Sequence, residues 1–361
     1  MKKEFTTTDS SVVKGVAILC LLFYHLFEHA ERVTTMQVDY RPFSLDSFLL
    51  FSSFGNICVA IFVFLSAYGI AKGIRDKEQA GEQITLTQMF AMSCVRYIKL
   101  TANFLAMFIS VNLLWFSKFD YVGLYGRGWQ GGLYTLLDAT GLSGLFKTFT
   151  INQTWWYMEL AIVIVFIAPL LYLAIKKLGY YALPLAVLLP VMVDLTFDIK
   201  RYYFVMVFGV AAVVLGWFEK SFSMKCPVFI QVIVGILLLI GSVFFRQNYV
   251  VYTEFAYLVD APIAFLVAWF GAAMLAPLPI IGKALGFLGK HSMNIYFVHT
   301  FFYMAIYQKF IYSFKYAGLI FIVLLGVCLI YSLVLEGIKR LCGFQKLMKY
   351  IRSKAEGGFA K

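Results

Sequence analysis

Ten apolar segments, each long enough to cross a lipid bilayer as a helix, run along this chain of 361 residues. They lie at about 12–28, 48–71, 96–116, 155–175, 180–196, 202–218, 228–245, 255–275, 293–312 and 317–338. About 20 predominantly apolar residues span the hydrocarbon core of a bilayer as an α-helix. An α-helix also pairs its backbone polar groups within one segment, which lipid requires. The sequence therefore predicts an all-α integral membrane protein with about ten transmembrane helices.

The composition excludes a soluble fold. Hydrophobic residues make up 61% of the chain and charged residues 14%, and the mean hydropathy is +0.81. A soluble domain of this size needs more polar residues to cover its surface. Lys2 and Lys3 before an apolar run are typical of a signal peptide, but no small-residue cleavage site follows them. We therefore predict that the first apolar segment is a retained membrane helix.

The distribution of basic residues predicts the orientation in the membrane. With ten spans and a cytoplasmic N-terminus, 21 Lys and Arg residues lie on the inner side and 10 on the outer side. Cytoplasmic loops of membrane proteins carry such an excess. Both termini are therefore predicted to be cytoplasmic, in a multi-pass protein of the cell membrane.

The net charge of +12 does not indicate nucleic-acid binding, because the basic residues lie in short runs between apolar spans. The six cysteines are scattered without a CxxC pair, and the four histidines lack the neighbours of a metal-ligand motif. We therefore expect no nucleic-acid partner, no disulfide framework and no metal site.

Two segments are not predicted to span the membrane. The Gly-rich connection over 117–154 is interpreted either as a short re-entrant or surface helix or as a plain loop. After the last span, apolar residues recur at helical spacing opposite basic ones, which suits a helix on the anionic inner leaflet. The predicted domains are a polytopic membrane domain over 1–338 and a basic amphipathic cytoplasmic tail over 339–361.

A lysine and a histidine interrupt the first apolar segment, at the two ends of "KGVAILCLLFYH". His25 follows Lys14 by 11 residues, which is about 16 Å along a helix and close to a whole number of turns. Both side chains therefore share one face, with Lys14 at the inner boundary and His25 in the outer half. Ionisable residues inside a bilayer are costly and mark functional sites.

The other ionisable residues in the predicted spans fall into two groups, one in the outer half of the membrane and one in the inner half. The outer half of the predicted spans holds Glu159, Asp194, Asp198, Asp260 and His299. The inner half holds Lys14, Arg96, Lys99, Lys283, Lys290 and His291. A histidine can remove the proton of a sugar hydroxyl, and a carboxylate can stabilise the imidazolium that forms. Basic residues can hold the phosphates of a coenzyme A thioester. The pattern favours acyl transfer, and the chain has neither a GxSxG elbow nor a P-loop.

Five stretches of the chain match known sequence motifs. In chain order they are "SSVVKGVAILCLLFYHLF", "IFVFLSAYGIAKG" (61–73), "CVRYIKLTANF" (94–104), "TWWYMELAIVIVFIAPLLYL" and "LGKHSMNIYFVHTFFY" (288–303). Together they resemble the motifs of the acyltransferase 3 family of bacterial membrane O-acyltransferases. The first stretch has the family's basic residue, ten further positions and then histidine. The match is looser where Ala67 replaces a usual Gly, Lys99 replaces an Arg and Ala102 replaces a common Pro. The resemblance covers nearly the whole chain, and ten spans are usual in the family.

The resemblance implies that a cytosolic acyl-CoA, most often acetyl-CoA, donates its acyl group to a hydroxyl of a cell-surface or lipid-linked glycan. It makes His25 the residue on which activity depends, which we interpret as the general base, with a transient acyl-histidine left open. Glu159 and His299 are predicted to be catalytic as well. The residues predicted to bind the donor are Lys14, Arg96, Lys99, Ser292 and Tyr296. Membrane lipids are further expected partners, and a homodimer is left open.

Each candidate also has a structural interpretation. Lys14 can be an anchor that reaches the interface, the other inner bases can be ordinary loop charges, and Glu159 can face water at a helix start. Helix–helix hydrogen bonds would account for Ser292, Tyr296 and His299. Two other functions stay open. One is a secondary transporter of a small polar solute, although no internal repeat is apparent. The other is a different histidine-dependent membrane acyltransferase that acts on lipid or protein.

Overall fold

The structure is a computed structural model that describes residues 4–193, 197–250 and 256–358. Within these ranges the chain is helical, and the only β interaction is an isolated bridge between Asp39 and Tyr316. The α-helices are α1 Thr7–Phe27, α2 Ala30–Thr35, α3 Leu45–Phe54, α4 Ile57–Gln79, α5 Leu86–Trp115, α6 Tyr121–Tyr125, α7 Gly128–Ala139, α8 Tyr157–Leu178, α9 Ala182–Met192, α10 Phe197–Val214, α11 Trp217–Phe222, α12 Val228–Phe245, α13 Ala256–Phe270, α14 Pro279–Thr300, α15 Gln308–Tyr312, α16 Ala317–Leu341 and α17 Phe344–Gly358. Short 3-10 helices lie at Phe116–Lys118, Gln153–Trp156 and Gly179–Tyr181, and π turns at Arg246–Val250, Gly271–Leu275 and Phe301–Ala305. The predicted all-α fold is confirmed.

Seven helical segments in the described part of the chain are long and apolar enough to cross a membrane. They are Thr7–Phe27, Leu45–Gln79, Leu86–Lys118, Gln153–Leu189, Phe229–Tyr249, Ala256–Leu275 and Ala317–Leu341. Predicted segment 180–196 continues the fourth of these and ends outside the described residues. Segment 202–218 lies mostly in α10, and segment 293–312 runs from the second half of α14 through the π turn Phe301–Ala305 into α15. Neither is among the seven. The count of ten spans and the cytoplasmic termini therefore stay predictions.

Helix α1 begins with a capping box. The backbone N of Asp9 donates to Thr6 Oγ1 at 3.2 Å, and the backbone N of Thr6 donates to Asp9 Oδ2 at 2.8 Å. These bonds satisfy donors that a helix N-terminus leaves free. Because the helix starts at Thr7, Lys14 lies about two turns inside it. Its place at the inner boundary of the membrane stays a prediction.

Helices α1 and α14 run parallel and touch through paired glycines. A Cβ on Gly15 or on Gly289 would overlap the backbone of the other helix. Small residues at such positions let membrane helices approach closely. Gly15 precedes His25 by ten residues, and Gly289 precedes His299 by ten. The glycine contact therefore brings the two histidines to the same level of the bundle.

This close contact predicts the effect of Gly289→Ala. The added methyl group pushes α14 away from α1, and we expect the free energy of unfolding to fall by about 1–3 kcal/mol, as overpacking usually costs. Thermal unfolding of the detergent-solubilised protein measures this loss. Gly326→Ala is the control, because a Cβ on Gly326 in α16 meets no atom within 4 Å. Equal unfolding temperatures for the two variants would contradict the close contact.

Helix α4 runs antiparallel to α1 and is the most buried of the seven segments, as part of Leu45–Gln79. Tyr24 of α1 lies against Gly55, just before α4. The ring of Phe5, before α1, lies 5.1 Å from that of Tyr68, in the second half of α4. We therefore name the two ends of the bundle the His25 end, where α1 finishes, and the Arg96 end, where α1 starts and Arg96 contacts α4.

The connection over 117–154 contains α6 and α7, so it is not a plain loop. Asp138 of α7 holds it together, because its Oδ2 accepts hydrogen bonds from Tyr125 Oη at 2.6 Å and from the backbone N of Ile151 at 2.8 Å. Burial raises the pKa of Asp138, although these bonds favour its charged form. The end of the connection is thereby fixed beside α8.

The tail forms a separate helix, α17, where the amphipathic pattern indicated one. Helix α16 continues to Leu341, three residues past the predicted boundary at 338. Lys339 Nζ donates to Asn103 Oδ1 at 2.8 Å and lies 5.0 Å from the ring centre of Phe344. These contacts hold the start of the tail helix against α5 and α16. Its position on a membrane surface stays a prediction.

Candidate active site

Two histidines from different helices meet at the His25 end. His25 lies in the last turn of α1 and His299 in the last turn of α14, with 4.9 Å between the ring centres. His25 Nδ1 lies 3.6 Å from Glu28 Oε1, and the His25 side chain is 20% exposed. The imidazole is therefore partly enclosed but reachable by a ligand. Two of the three residues predicted to be catalytic, His25 and His299, are thus neighbours.

The protonation of His299 follows from its hydrogen bond. The side chain is fully buried, and its Nδ1 lies 2.6 Å from the backbone oxygen of Tyr296. A carbonyl oxygen can only accept, so Nδ1 carries the proton and Nε2 of the neutral ring is an acceptor. Nε2 has no hydrogen-bond partner. A buried acceptor without a partner costs free energy unless a ligand donates to it.

The last turn of α14 is held by the segment before α8. Asn152 Nδ2 donates to Thr300 Oγ1 at 2.5 Å, and Trp155 Nε1 donates to the backbone oxygen of Phe297 at 2.9 Å. The π turn Phe301–Ala305 follows immediately. Such turns are frequent at functional sites. The backbone around His299 is thus fixed from both sides.

Glu28 is a carboxylate that the sequence analysis did not assign to the site. Besides His25, its Oε1 lies 3.3 Å from His29 Nε2 and 3.9 Å from Arg32 Nη1. Arg32 Nη1 also donates to the backbone oxygen of His25 at 2.5 Å. The spacing of three residues between His25 and Glu28 puts both on one helix face and is the signal that could have identified it.

A chain of polar side chains leads from the histidines to α10. Tyr24, next to His25, accepts a hydrogen bond at its Oη from Asn56 Nδ2 at 3.1 Å. Asn56 Oδ1 accepts in turn from Arg201 Nη2 at 3.4 Å. Neither Asn56 nor Arg201 was predicted to belong to the site, because their proximity depends on the packing of α4 against α10.

Glu159 has its own set of neighbours. Its carboxylate packs against the backbone of Gly144 and interacts electrostatically with Asp198 and Lys147. None of the contacts in the described part of the chain joins it to His25. The catalytic role predicted for Glu159 therefore stays a prediction without support from the contacts around it.

The other acidic residues of the outer half differ in their surroundings. Asp260 is buried and pairs with Arg246, whose Nε donates to Asp260 Oδ1 at 2.5 Å. This pair accounts for both charges without a ligand. Asp198 lies near Glu159, and Asp194 lies outside the described residues.

Two of the residues predicted to bind the donor lie on α5. Arg96 Nη2 is 2.7 Å from the position of a Cβ on Gly73, and its Nη1 is buried without a hydrogen-bond partner. Lys99 is exposed and lines a cavity of about 380 Å³ with Lys339 and Lys349 of the tail region. The unpartnered guanidinium group of Arg96 makes it the better candidate for holding an anion.

The remaining donor candidates divide between the two ends. Lys14 makes no hydrogen bond or ion pair with any described residue. Ser292 Oγ donates to the backbone oxygen of Gly289 at 2.9 Å, within its own helix. Tyr296 Oη donates to the backbone oxygen of Thr154 at 3.3 Å, and its ring centre lies 6.0 Å from that of His299. Tyr296 therefore belongs to the histidine cluster and not to the Arg96 end.

One face of α4 carries small residues. Ser66, Gly69 and Gly73 recur at spacings of three and four residues in an otherwise buried stretch; Gly69 is exposed, and Ser66 and Gly73 are partly buried. A Cβ on Gly69 would meet no atom within 4 Å. Arg96 of α5 covers Gly73, and Tyr157 of α8 interacts with Ser66. The gap at Gly69 therefore lies between α4, α5 and α8, and we name it the α4 groove.

The residues that flank the α4 groove extend toward both ends of the bundle. Beyond Ser66, the ring centre of Tyr157 lies 5.2 Å from that of Tyr296, which neighbours His299. At the opposite end stands Arg96. A thin ligand with an anionic head would fit this arrangement, with its head at Arg96 and its reactive end near the histidines.

Comparison with known proteins agrees with the sequence motifs. A family model described as an acyltransferase domain, that of acyltransferase 3, matches residues 9–335. No curated protein and no solved structure matches the chain significantly. Within the described ranges, no group of three or more His, Cys, Asp and Glu side chains could hold a metal ion. Since the family model covers nearly all of the helical bundle, including both histidines and the α4 groove, the chain belongs to the acyltransferase 3 family of membrane proteins.

Proposed function

We propose that the protein is a membrane O-acyltransferase that moves an acyl group, in the simplest case acetyl, from cytosolic acyl-CoA to a hydroxyl of a cell-surface or lipid-linked glycan. One observation carries this proposal: the His25–His299 pair, with an unpartnered Nε2, lies at one end of the α4 groove, and the unpartnered Arg96 lies at the other. The Arg96 end would face the cytosol and the His25 end the acceptor.

The donor would enter at the Arg96 end. Coenzyme A carries phosphates at one end and a thioester at the end of a thin, flexible arm. Arg96 would hold a phosphate through its free N–H donors, since guanidinium groups match phosphate oxygens. The arm would lie in the α4 groove along Gly69, where a side chain is absent. The thioester would then lie toward the histidines.

At the His25 end, His25 would take the proton of the acceptor hydroxyl. The hydroxyl oxygen attacks the thioester carbonyl, the new C–O bond forms, and the C–S bond breaks. The imidazolium then returns its proton to the thiolate of coenzyme A, so that ester and thiol are the products. Glu28, 3.6 Å from His25 Nδ1, would stabilise the imidazolium. The free Nε2 of His299 would accept a hydrogen bond from a second hydroxyl of the acceptor.

The proposed reaction is tested by the mass of the product. Surface polysaccharide and lipid-linked glycan are isolated from cells with and without the gene, and each glycan is measured by mass spectrometry. We expect a mass increase of one acyl group per modified sugar only in cells that carry the gene, together with label from acetyl-CoA supplied to their membranes. Identical glycan masses in both cell types would contradict the proposed acceptor class.

The role given to Glu28 predicts a kinetic effect. Glu28→Gln keeps the shape of the side chain but removes the charge that stabilises the imidazolium. We expect kcat to fall about 10-fold, the lower limit for losing a charged hydrogen-bond partner, with an unchanged KM for acetyl-CoA. Glu31→Gln, at an exposed position of α2, is the control. A rise in KM with constant kcat would show that Glu28 only shapes the site.

A further inference from the structure

Arg201 differs from most arginines inside the bundle, because no carboxylate in the described part of the chain pairs with it. Arg32 lies 3.9 Å from Glu28, Arg75 lies 2.8 Å from Glu219, and Arg246 lies 2.5 Å from Asp260. Asp198, one turn before Arg201 in α10, interacts with it through charge without forming an ion pair. Arg96, at the opposite end, shares this unpaired state.

The donors of Arg201 are largely unused. A guanidinium group has five N–H donors. One of them, on Nη2, reaches Asn56 Oδ1 at the long distance of 3.4 Å, and Nε is buried without a partner. The guanidinium carbon also lies 5.6 Å from the ring centre of Tyr202. An unpaired charge and unmade hydrogen bonds in a membrane bundle are costly, so a ligand is the simplest reason to keep them.

Hydrogen bonds connect Arg201 to the neighbourhood of His25. Asn56 bridges Arg201 to Tyr24, which is adjacent to His25 in α1. Beside Arg201, the ring of Tyr202 is stacked on that of Trp156 with 6.0 Å between centres and 19° between planes. Arg201 thus lies beside an aromatic pair and two hydrogen bonds from Tyr24, whose ring centre is 5.0 Å from that of His25.

We propose that Arg201 binds an anionic group of the acceptor, a carboxylate or a phosphate, and so holds the acceptor with its hydroxyl at His25. The planar fork of a guanidinium group binds either oxyanion through two parallel hydrogen bonds. The acceptor is then an acidic glycan or a glycan on a phosphate-bearing lipid carrier, and a neutral free sugar is a poor substrate. This inference rests on the proposed function and gives its acceptor a charge.

Binding without acyl-CoA tests the inference. Purified full-length protein in detergent micelles is titrated with three probes, glucuronate, inorganic diphosphate and neutral glucose, and binding is followed as protection against thermal unfolding. We expect glucuronate or diphosphate to bind and glucose not to bind. Protection by glucuronate alone identifies an acidic sugar, protection by diphosphate alone identifies the lipid carrier, and protection by both supports a general oxyanion site.

Variants separate a ligand site from a structural role. We expect Arg201→Gln to raise the Kd for the anionic probe about 10- to 100-fold, as the loss of charged hydrogen bonds implies, and Arg201→Lys to raise it less. Arg127→Gln, an exposed arginine at the N-terminus of α7, should leave the Kd unchanged. Without probe, Arg201→Gln should unfold no earlier than wild type, because it removes an unpaired charge.

Three outcomes would overturn the inference: no protection by either anion, equal Kd values for wild type and Arg201→Gln, or a lower unfolding temperature of probe-free Arg201→Gln. The third would mean that Arg201 only supports Asn56. His25→Ala should bind the probe like wild type, since His25 reacts but does not hold the anion. If acyl transfer persists in His25→Ala while Arg201 binds anions, the proposed mechanism fails and the anion site stands.

Discussion

Replacement of His25 by alanine is expected to lower acyl transfer about 100- to 10,000-fold, the range in which a general base contributes. The reason is geometric as well as chemical. His25 is partly exposed, lies 3.6 Å from a carboxylate and stands 4.9 Å from His299, whose free Nε2 can orient a hydroxyl. Transfer of labelled acetyl from acetyl-CoA to endogenous glycan in membranes measures the loss.

The matched control for this variant is His291→Ala. His291 lies in α14 like His299, but its Nδ1 lies 2.8 Å from Ser332 Oγ, so it already has a partner on another helix. This variant removes a histidine from the same bundle and should keep most of the activity. If His25→Ala transfers acetyl at the wild-type rate, or if both variants lose activity equally, His25 is not the base.

A side chain that fills the α4 groove is expected to prevent acyl-CoA from binding there. Gly69→Leu adds a side chain where a Cβ meets no atom within 4 Å, so folding has no steric reason to fail. The leucine would occupy the space given to the arm of coenzyme A and displace the thioester. We expect acyl transfer to fall about 100-fold, since small displacements of a reacting group have effects of this size. The same membrane assay, with thermal unfolding as a check on folding, measures it.

Gly326→Leu is the control for the groove, because a Cβ on Gly326 also meets no atom within 4 Å, but it lies on α16, away from the groove. This variant should transfer acetyl like wild type. Normal activity of a folded Gly69→Leu protein would show that the donor takes another route. Loss of activity in both variants would show that added bulk, and not the groove, is responsible.

The helices and the two histidines could be predicted from sequence for a physical reason. Apolar length predicts a membrane helix without knowledge of its neighbours. A histidine inside such a helix is unusual enough to be noticed, and this applies to His25 and to His299 alike. The spacing of ten residues that separates each of them from a glycine becomes informative only when α1 and α14 are known to run parallel.

The partners of charged residues could not be predicted in the same way. Arg246 and Arg201 both lie near the ends of apolar stretches, yet Arg246 pairs with Asp260 whereas Arg201 has no ion pair in the described part of the chain. Whether a charge is paired depends on contacts between distant helices, here α13 with the π turn after α12, and α4 with α10. For the same reason the sequence could not show that Glu159 interacts with Asp198 and Lys147.

The central claim is that acyl transfer connects the two faces of the membrane through one bundle. The most direct test uses purified protein in sealed liposomes of one orientation, with labelled acetyl-CoA on one face and extracted surface glycan on the other. We expect labelled glycan only when acetyl-CoA is supplied at the Arg96 face and glycan at the His25 face, and none with His25→Ala. Equal labelling when both substrates are on the same face would contradict transfer across the membrane.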